Sequence, residues 1–119
     1  MATDDPRTPD LDGPIAAPGH HRVVFECDQV RVIETVIRSG DTAPLHTHAT
    51  PHLTILRSGS EFIRRGANGS ILLAAHATAG DPGLPRYAWS DGLPAHTLEN
   101  LGPDDFVATT VELKARSAG

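Results

Sequence analysis

The sequence predicts a small all-β protein of one domain, built as a sandwich or closed barrel of about eight or nine strands. The chain has 119 residues, which is room for one hydrophobic core. Short runs rich in Val, Ile and Thr alternate with clusters of Gly, Pro, Asp and Asn. No segment combines apolar residues at helical spacing with a cap and a stop, because the nearest candidate, residues 74–79, is cut short by Gly80 and Pro82.

The predicted strands begin at His21, and each is bounded by turn residues. The runs are His21–Glu26, Val30–Ile37, Leu45–His48, His52–Ser58, Glu61–Arg65, Ser70–Ala75, Arg86–Ser90, Ala95–Leu101 and Phe106–Leu113. The Asn68-Gly69 pair tolerates positive φ at both positions and predicts a hairpin between the fifth and sixth runs. Strands at this spacing indicate antiparallel neighbours throughout.

The two ends of the chain differ in composition from the middle. Residues 1–19 are rich in Pro, Asp, Gly and Ala and carry almost no large apolar side chain, so they predict a flexible or loosely docked arm. Residues 20–114 form the predicted domain, and residues 115–119 a C-terminal tail.

Composition excludes several classes of function. The net charge of −5 and the absence of a Lys/Arg stripe argue against nucleic-acid binding. Apolar runs such as Ile71–Ala75 are too short to cross a bilayer, and the N-terminus lacks the pattern of a secretory signal. Cys27 is the only cysteine, so no intrachain disulfide is possible and a reducing compartment is compatible. We expect a cytoplasmic protein that uses neither nucleic acid nor membrane.

The segment from Gly40 to Gly59 holds the densest chemistry, with His46, His48 and His52 within seven residues. On an extended strand His46 and His48 point to the same face. Imidazoles grouped on one face suit a divalent metal that prefers nitrogen ligands. If residues 95–101 form a strand, His96 shares a face with Leu98 and Asn100, and it could meet the first cluster in an antiparallel barrel.

These residues resemble the motifs of the cupin family. Its first motif, G-x5-H-x-H-x3-E-x6-G, is matched in every spacing from Gly40 to Gly59, with His52 at the position of the glutamate. Its second motif ends in H-x3-N, which His96 and Asn100 match, although the first half of that motif is degraded around Gly92. The resemblance covers residues 21–113 and implies a single-domain jelly-roll barrel.

The resemblance also implies the metal site. Carried over position by position, the ligands are His46, His48, His52 and His96. His52 could instead contact one of the metal-ligating histidines without touching the metal itself. That would leave a three-histidine site with more open coordination positions. An all-nitrogen site favours one divalent transition metal, Zn, Fe, Ni or Cu, over Mg or Ca. Metal binding requires neutral imidazoles, so affinity should fall as the pH drops below about 6.5.

Further candidate site residues come from strand alternation. Thr54 shares the inward face of the His52 strand and is expected to touch the substrate. Glu34 shares a face with three valines, so it is either a general acid/base or a carboxylate paired with an arginine. Tyr87 and Trp89 share a face and would wall a pocket or cap the core. Three arginines are candidates for binding a substrate carboxylate: Arg57, Arg64 and Arg86.

The remaining polar residues have simpler interpretations. His20, His21 and His76 match no motif and are interpreted as surface histidines. Asn100 is expected to hydrogen bond to the backbone at a turn, and Cys27 to be an inert thiol.

We expect a metal-dependent enzyme acting on a small organic acid or keto acid, by isomerase-, epimerase- or lyase-type chemistry. With Fe(II), the same site would support a dioxygenase reaction. A non-catalytic metal-containing module that binds or senses a small ligand is the alternative, and a pocket without an acid/base group, with Glu34 turned outward, would favour it. A metal-free sandwich with incidental histidines is the third possibility. Edge pairing and the resemblance to cupins both predict a homodimer.

Overall fold

The computed structural model describes residues 11–76 and 83–114 of the chain. They form one short helix, α1 (Gly13–Ala16), and nine strands. The strands are β1 (His21–Glu26), β2 (Val30–Ile37), β3 (Thr42–His48), β4 (His52–Ser58), β5 (Phe62–Gly66), β6 (Ile71–Ala75), β7 (Arg86–Ser90), β8 (Leu93–Asn100) and β9 (Phe106–Leu113). A membrane-spanning helix is absent from these residues.

The strands lie in two antiparallel sheets that face each other. One has the order β1-β2-β9-β4-β7 and the other the order β3-β8-β5-β6. Every ladder between neighbouring strands is antiparallel, and most connect strands distant in sequence. The prediction of an all-β jelly-roll barrel is therefore confirmed.

Strand boundaries follow the predicted runs closely. β1, β2, β4, β7 and β9 begin and end where the turn residues place them. β3 begins at Thr42, three residues before the predicted start at Leu45, and runs through Pro44. Proline is tolerated there because β3 is an edge strand, where a missing N–H interrupts no interior ladder.

The hydrophobic core lies between the sheets at the end of the barrel away from α1. Phe62 of β5 and Phe106 of β9 meet edge to face, with ring centroids 5.1 Å apart. The other core members are small or aliphatic: Ile37, Ala43, Leu98 and Ala108. This packing joins the two sheets and leaves the opposite half of the interior for polar side chains.

Asn100 closes the turn between β8 and β9, as predicted. Its buried amide donates to the carbonyl oxygens of Ile37 and Asp104, at 2.9 and 2.8 Å. Its Oδ1 accepts the backbone N–H of Gly102 at 3.0 Å. Each polar atom of this buried side chain is satisfied, which makes Asn100 a structural residue.

The predicted hairpin at Asn68-Gly69 is present, with β5 paired to β6. Its turn differs in detail from the expectation, because only Gly69 has positive φ, at 86°. Asn68 instead accepts the backbone N–H of Ser70 on its side-chain oxygen at 3.0 Å. Asn68 therefore stabilises the turn through its side chain and not through a backbone conformation with positive φ.

Residues 11–19, expected to belong to a flexible or loosely docked arm, contact the barrel. Asp12 binds the guanidinium of Arg31 with both carboxylate oxygens, at 2.8 and 2.6 Å. It also forms a parallel bridge to Thr47 of β3. Composition could not reveal this contact, because its energy comes from an ion pair with a distant strand. Residues 1–10, 77–82 and 115–119 lie outside the described residues, and the first two residues of the 74–79 segment belong to β6.

Candidate metal centre

Five of the seven histidines meet inside the barrel. They are His21, His46, His48, His52 and His96, each less than a tenth exposed. We call these five residues the histidine cluster. Cross-strand register helps to bring them together, because His46 of β3 lies directly opposite His96 of β8.

His46 stands at the centre of the histidine cluster. Its ring centroid lies 4.4 Å from those of His21 and His96 and 5.0 Å from that of His48. His48 in turn lies 5.7 Å from His52 and 5.8 Å from His96. All four histidines predicted as ligands are thus buried in one contiguous group.

Three members of the cluster have the tightest geometry for a metal. Ligand nitrogens of His21, His46 and His48 all lie within 4.8 Å of one another. His52 and His96 contact this triad but are not part of it, so the predicted four-ligand set stays a prediction. The triad gives the histidine cluster the donor type that divalent transition metals prefer.

The interpretation of His21 as a surface residue is wrong. It is 4 % exposed, and its register partner on β2 is Thr35, which is also buried. No motif marks His21. Strand alternation places it on the same face as Val23 and Phe25, and because these two are exposed, alternation does not predict that His21 is buried. The burial comes from α1, since an added Cβ on Gly13 would meet both the His21 and the His48 rings at about 3.3 and 3.2 Å.

Hydrogen bonds fix the same tautomer at all five rings. Each Nδ1 lies next to an oxygen that can only accept a hydrogen bond. For three rings this is a backbone carbonyl oxygen at 2.7 Å: Pro44 O for His46, Thr50 O for His52 and Pro94 O for His96. The Nδ1 of His21 lies 3.1 Å from Ala17 O, and that of His48 lies 3.3 Å from Glu112 Oε2. Each neutral ring therefore carries its proton on Nδ1 and its lone pair on Nε2. This is the arrangement in which histidine binds a metal.

One of the five Nε2 atoms is fully buried as well as unpartnered. The Nε2 of His21 is buried and makes no hydrogen bond to any described residue. A buried acceptor without a donor is costly, and a metal ion at the triad would satisfy it. The residues present therefore fit a metal ion on the criteria of donor type, orientation and an orphaned nitrogen.

Burial favours the neutral form of four of these imidazoles. Burial first, and then the neighbouring imidazoles, lower the pKa of His21, His48 and His96 to about 3. Burial also lowers the pKa of His46. Neutral imidazoles are available to a metal at physiological pH without first losing a proton.

A chain of charged groups lies behind His48. Glu112 of β9 accepts from His48 and from the Nε of Arg31, the latter at 2.8 Å, and Arg31 is held on its other side by Asp12. The hydrogen bond to Asp12, together with Glu112, raises the pKa of Arg31. Such a carboxylate–histidine pair orients the ring of a metal ligand and increases its basicity.

Two adjoining cavities open from the histidine cluster. A small one of about 40 Å³ lies among the imidazoles. A larger one of about 450 Å³ lies beside it, between β4, β5, β6 and β7. We call the larger one the arginine cavity, because Arg64 and Arg86 line it. Five residues line both cavities and form their shared wall: His52, Thr54, Arg64, Leu93 and Phe106.

The predicted catalytic residues are placed differently. Thr54 lies in the shared wall, on the inward face of β4 as expected. Glu34 lies outside both cavities, because the inward face of β2 is formed by Ile33, Thr35 and Ile37. Glu34 instead forms an ion pair with Arg57 and accepts from Thr109, so the pairing interpretation holds and the acid/base interpretation is corrected.

Tyr87 is also corrected. It is 65 % exposed and lines neither cavity, because β7 turns Arg86, Ala88 and Ser90 toward the interior. Trp89 lies at the rim of the arginine cavity with its indole N–H donated to Asp91 at 3.1 Å. Tyr87 and Trp89 share the more exposed face of β7, and of the two it is Trp89 that reaches the wall of a cavity.

Comparisons with known proteins give the fold alone. No family model matches the chain, and no curated protein matches its sequence. Among solved structures, the chain is similar to a cupin domain from Bordetella pertussis Tohama I, with 18 % identity, 80 % of this chain and 92 % of that chain covered, and a TM-score of 0.65. It is also similar to a double-stranded β-helix protein from Klebsiella pneumoniae, with 23 % identity, 85 % and 82 % covered, and a TM-score of 0.57. An RmlC-like cupin protein from Methanocaldococcus jannaschii is similar as well, with 12 % identity and a TM-score of 0.56. That match covers 78 % of this chain and 77 % of that chain.

Proposed function

We propose that this chain, which has the cupin double-stranded β-helix fold, is a metal-dependent enzyme. It acts on a small organic acid or keto acid by isomerase- or epimerase-type chemistry. The observation that supports this most is the histidine cluster, in which five Nε2 lone pairs are left free by acceptors at Nδ1. A divalent ion held there would act as a Lewis acid that polarises a substrate carbonyl or carboxylate oxygen.

The chain's own residues have separate tasks in this proposal. His21, His46 and His48 hold the ion, and the Glu112 carboxylate fixes the ring of His48. Thr54 contacts the substrate from the shared wall, and the apolar side chains of Leu93 and Phe106 exclude water beside it. His96 and His52 complete the coordination or hydrogen bond to the substrate from Nε2.

A non-catalytic metal-containing binding module is the second candidate, and the position of Glu34 favours it. No carboxylate among the described residues lines either cavity. The groups there that could exchange a proton are the histidines and the hydroxyls of five residues: Thr35, Thr54, Ser60, Ser90 and Thr110. Catalysis of proton transfer would have to use one of these, whereas ligand binding would need none.

Metal-loaded protein separates the candidates. The protein is purified without chelator, assayed for metal content and incubated in D₂O with 2-hydroxy and 2-keto acids. We expect it to exchange the hydrogen on C2 of a 2-hydroxy acid, or a hydrogen on C3 of a 2-keto acid, and NMR detects either exchange. Substrate-dependent oxygen uptake by the Fe(II) form would instead favour a dioxygenase. Tight binding of an acid with neither exchange nor oxygen uptake would favour the binding module. A homodimer and a cytoplasmic location also stay proposals, and sedimentation tests the first.

A further inference from the structure

Arg64 lies in the interior of the barrel, where no described residue accepts a hydrogen bond from it. It projects from the inward face of β5, two residues after the core residue Phe62, and lies opposite Leu98 in the ladder with β8. Its Nε is buried and has no hydrogen-bond partner among the described residues. An arginine in this position costs folding free energy unless something supplies an acceptor.

Three other arginines differ from Arg64 in this respect. Arg31, Arg57 and Arg65 each pair with a carboxylate: Glu112 and Asp12, Glu34, and Glu99, respectively. The cavities that Arg64 lines contain no carboxylate from the described residues. Burial lowers the pKa of Arg64 with no acidic group to oppose it, whereas the carboxylates beside Arg31 raise that of Arg31.

The surroundings of Arg64 are those of a small-molecule site. The arginine cavity, at about 450 Å³, is within the range of roughly 300–1,000 Å³ typical of such sites. Its walls are mainly apolar, with Leu56, Leu73 and Phe106 among them. Arg86 adds a second positive charge to the lining. Arg64 also lines the small cavity among the imidazoles, so a ligand bound to it would reach the histidine cluster.

We propose that Arg64 is the binding residue for the carboxylate of a small organic acid whose apolar body fills the arginine cavity and whose far polar end reaches the histidine cluster. This deepens the proposed function by naming the anchor of its substrate, and it rests on that function for the role of the metal. The guanidinium offers a planar pair of N–H groups that matches a carboxylate, and its burial strengthens the contact. The unpartnered Nε is the donor that such a ligand would satisfy.

Trp89 makes the test direct, because it is the only tryptophan of the chain and lines the arginine cavity. Its fluorescence can be followed while the full chain is titrated with hexanoate or cyclohexanecarboxylate, and separately with the matching neutral amides. We expect each carboxylate to bind about tenfold or more tightly than its amide, since the amide loses a charged hydrogen bond. No preference for the carboxylate in either pair would overturn the proposal.

Variants of two neighbouring arginines give the control. Arg64→Gln should reduce the preference to within about twofold, and Arg64→Lys should keep part of it because the charge remains without the planar pair of donors. Arg65→Gln should keep the full preference, because Arg65 points outward and pairs with Glu99. A preference that survives Arg64→Gln would overturn the proposal. We expect Arg64→Gln to melt at or above the wild-type temperature, which removes misfolding as an explanation for lost binding.

The same titration with chelator-treated protein separates this proposal from the proposed function. If the chelator-treated protein takes up none of Zn²⁺, Fe²⁺, Ni²⁺ or Cu²⁺ when each is added back, but keeps an Arg64-dependent preference for carboxylates, the proposed function fails and the role of Arg64 stands. If the cluster binds metal but Arg64→Gln leaves the carboxylate preference unchanged, only the role of Arg64 fails.

Discussion

Arg31 and Arg64 both carry a charge into the barrel, and their surroundings are opposite. Arg31 lies behind the histidine cluster between Asp12 and Glu112, with all three side chains joined by hydrogen bonds. Arg64 lies in the wall of the arginine cavity with its buried Nε unpaired. A charge paired within the chain positions other residues, whereas one left unpaired is available to a ligand.

The same contrast separates the two cavities. Every ring of the histidine cluster has a fixed acceptor at Nδ1, so its geometry is set before any ion arrives. The arginine cavity has positive charge and apolar surface, and the Nε of Arg64 in its wall has no partner among the described residues. The first arrangement suits one small cation, and the second suits an anion with an apolar body.

Replacing the central imidazole should have the largest effect. His46 contacts His21, His48 and His96, so His46→Ala should lower metal affinity by more than the roughly 10–100-fold typical of residues that only support a ligand. Elemental analysis and competition with a chromophoric chelator measure this. His76→Ala, at an exposed position outside the histidine cluster, is the control and should leave affinity unchanged. Equal metal content in both variants would contradict the assignment.

Acid should unfold the metal-free protein, because the folded state takes up protons less readily than the unfolded state. The pKa of His21, His48 and His96 is about 3 when folded, against 6.5 when exposed. Between these values the unfolded chain binds more protons than the folded chain. The contribution of these three histidines to the free energy of unfolding is therefore fully present above pH 6.5 and is lost as the pH falls toward 3. Urea titrations should show a loss on the order of a few kcal/mol between pH 6.5 and 4. Constant stability over that range would contradict a neutral, buried cluster.

The support behind the histidine cluster should matter less than the ligands themselves. Glu112→Gln keeps the size of the side chain but removes the charge that holds Nδ1–H of His48, and it leaves Arg31 with only Asp12. We expect metal affinity to fall roughly tenfold. Titration calorimetry measures this, and unchanged affinity would separate Glu112 from the metal site.

The ion pair on the outer face should have the smallest effect. Glu34→Gln breaks the contact with Arg57, half of whose side chain is exposed, and should change the free energy of unfolding by less than about 1 kcal/mol. Metal affinity should not change, because Glu34 lines neither cavity. A drop in metal affinity like that of Glu112→Gln would show that Glu34 acts on the site after all.

Alternation and turn residues were enough to predict the barrel. Runs such as Val30–Ile37 have the length and bounds of the observed strands, because Gly, Pro and Asp end strands by local chemistry. The helix α1 was missed because a single turn depends on what it packs against, here the rings of His21 and His48.

The site was predicted only in part. Spacing identified His46, His48, His52 and His96, since strand alternation places residues two apart on one face. His21 and Glu112 were missed because they reach the histidine cluster from other strands through long-range register. Glu34 and Tyr87 were assigned to the wrong face, because both faces of β2 and β7 carry apolar residues and alternation alone does not say which face is buried.

Anomalous diffraction from a crystal grown with Zn²⁺ tests the central claim most directly. The account predicts one strong peak inside the barrel, about 2.0–2.1 Å from the Nε2 atoms of His21, His46 and His48. A peak only at exposed histidines such as His76, or a peak bound through Nδ1, would contradict it.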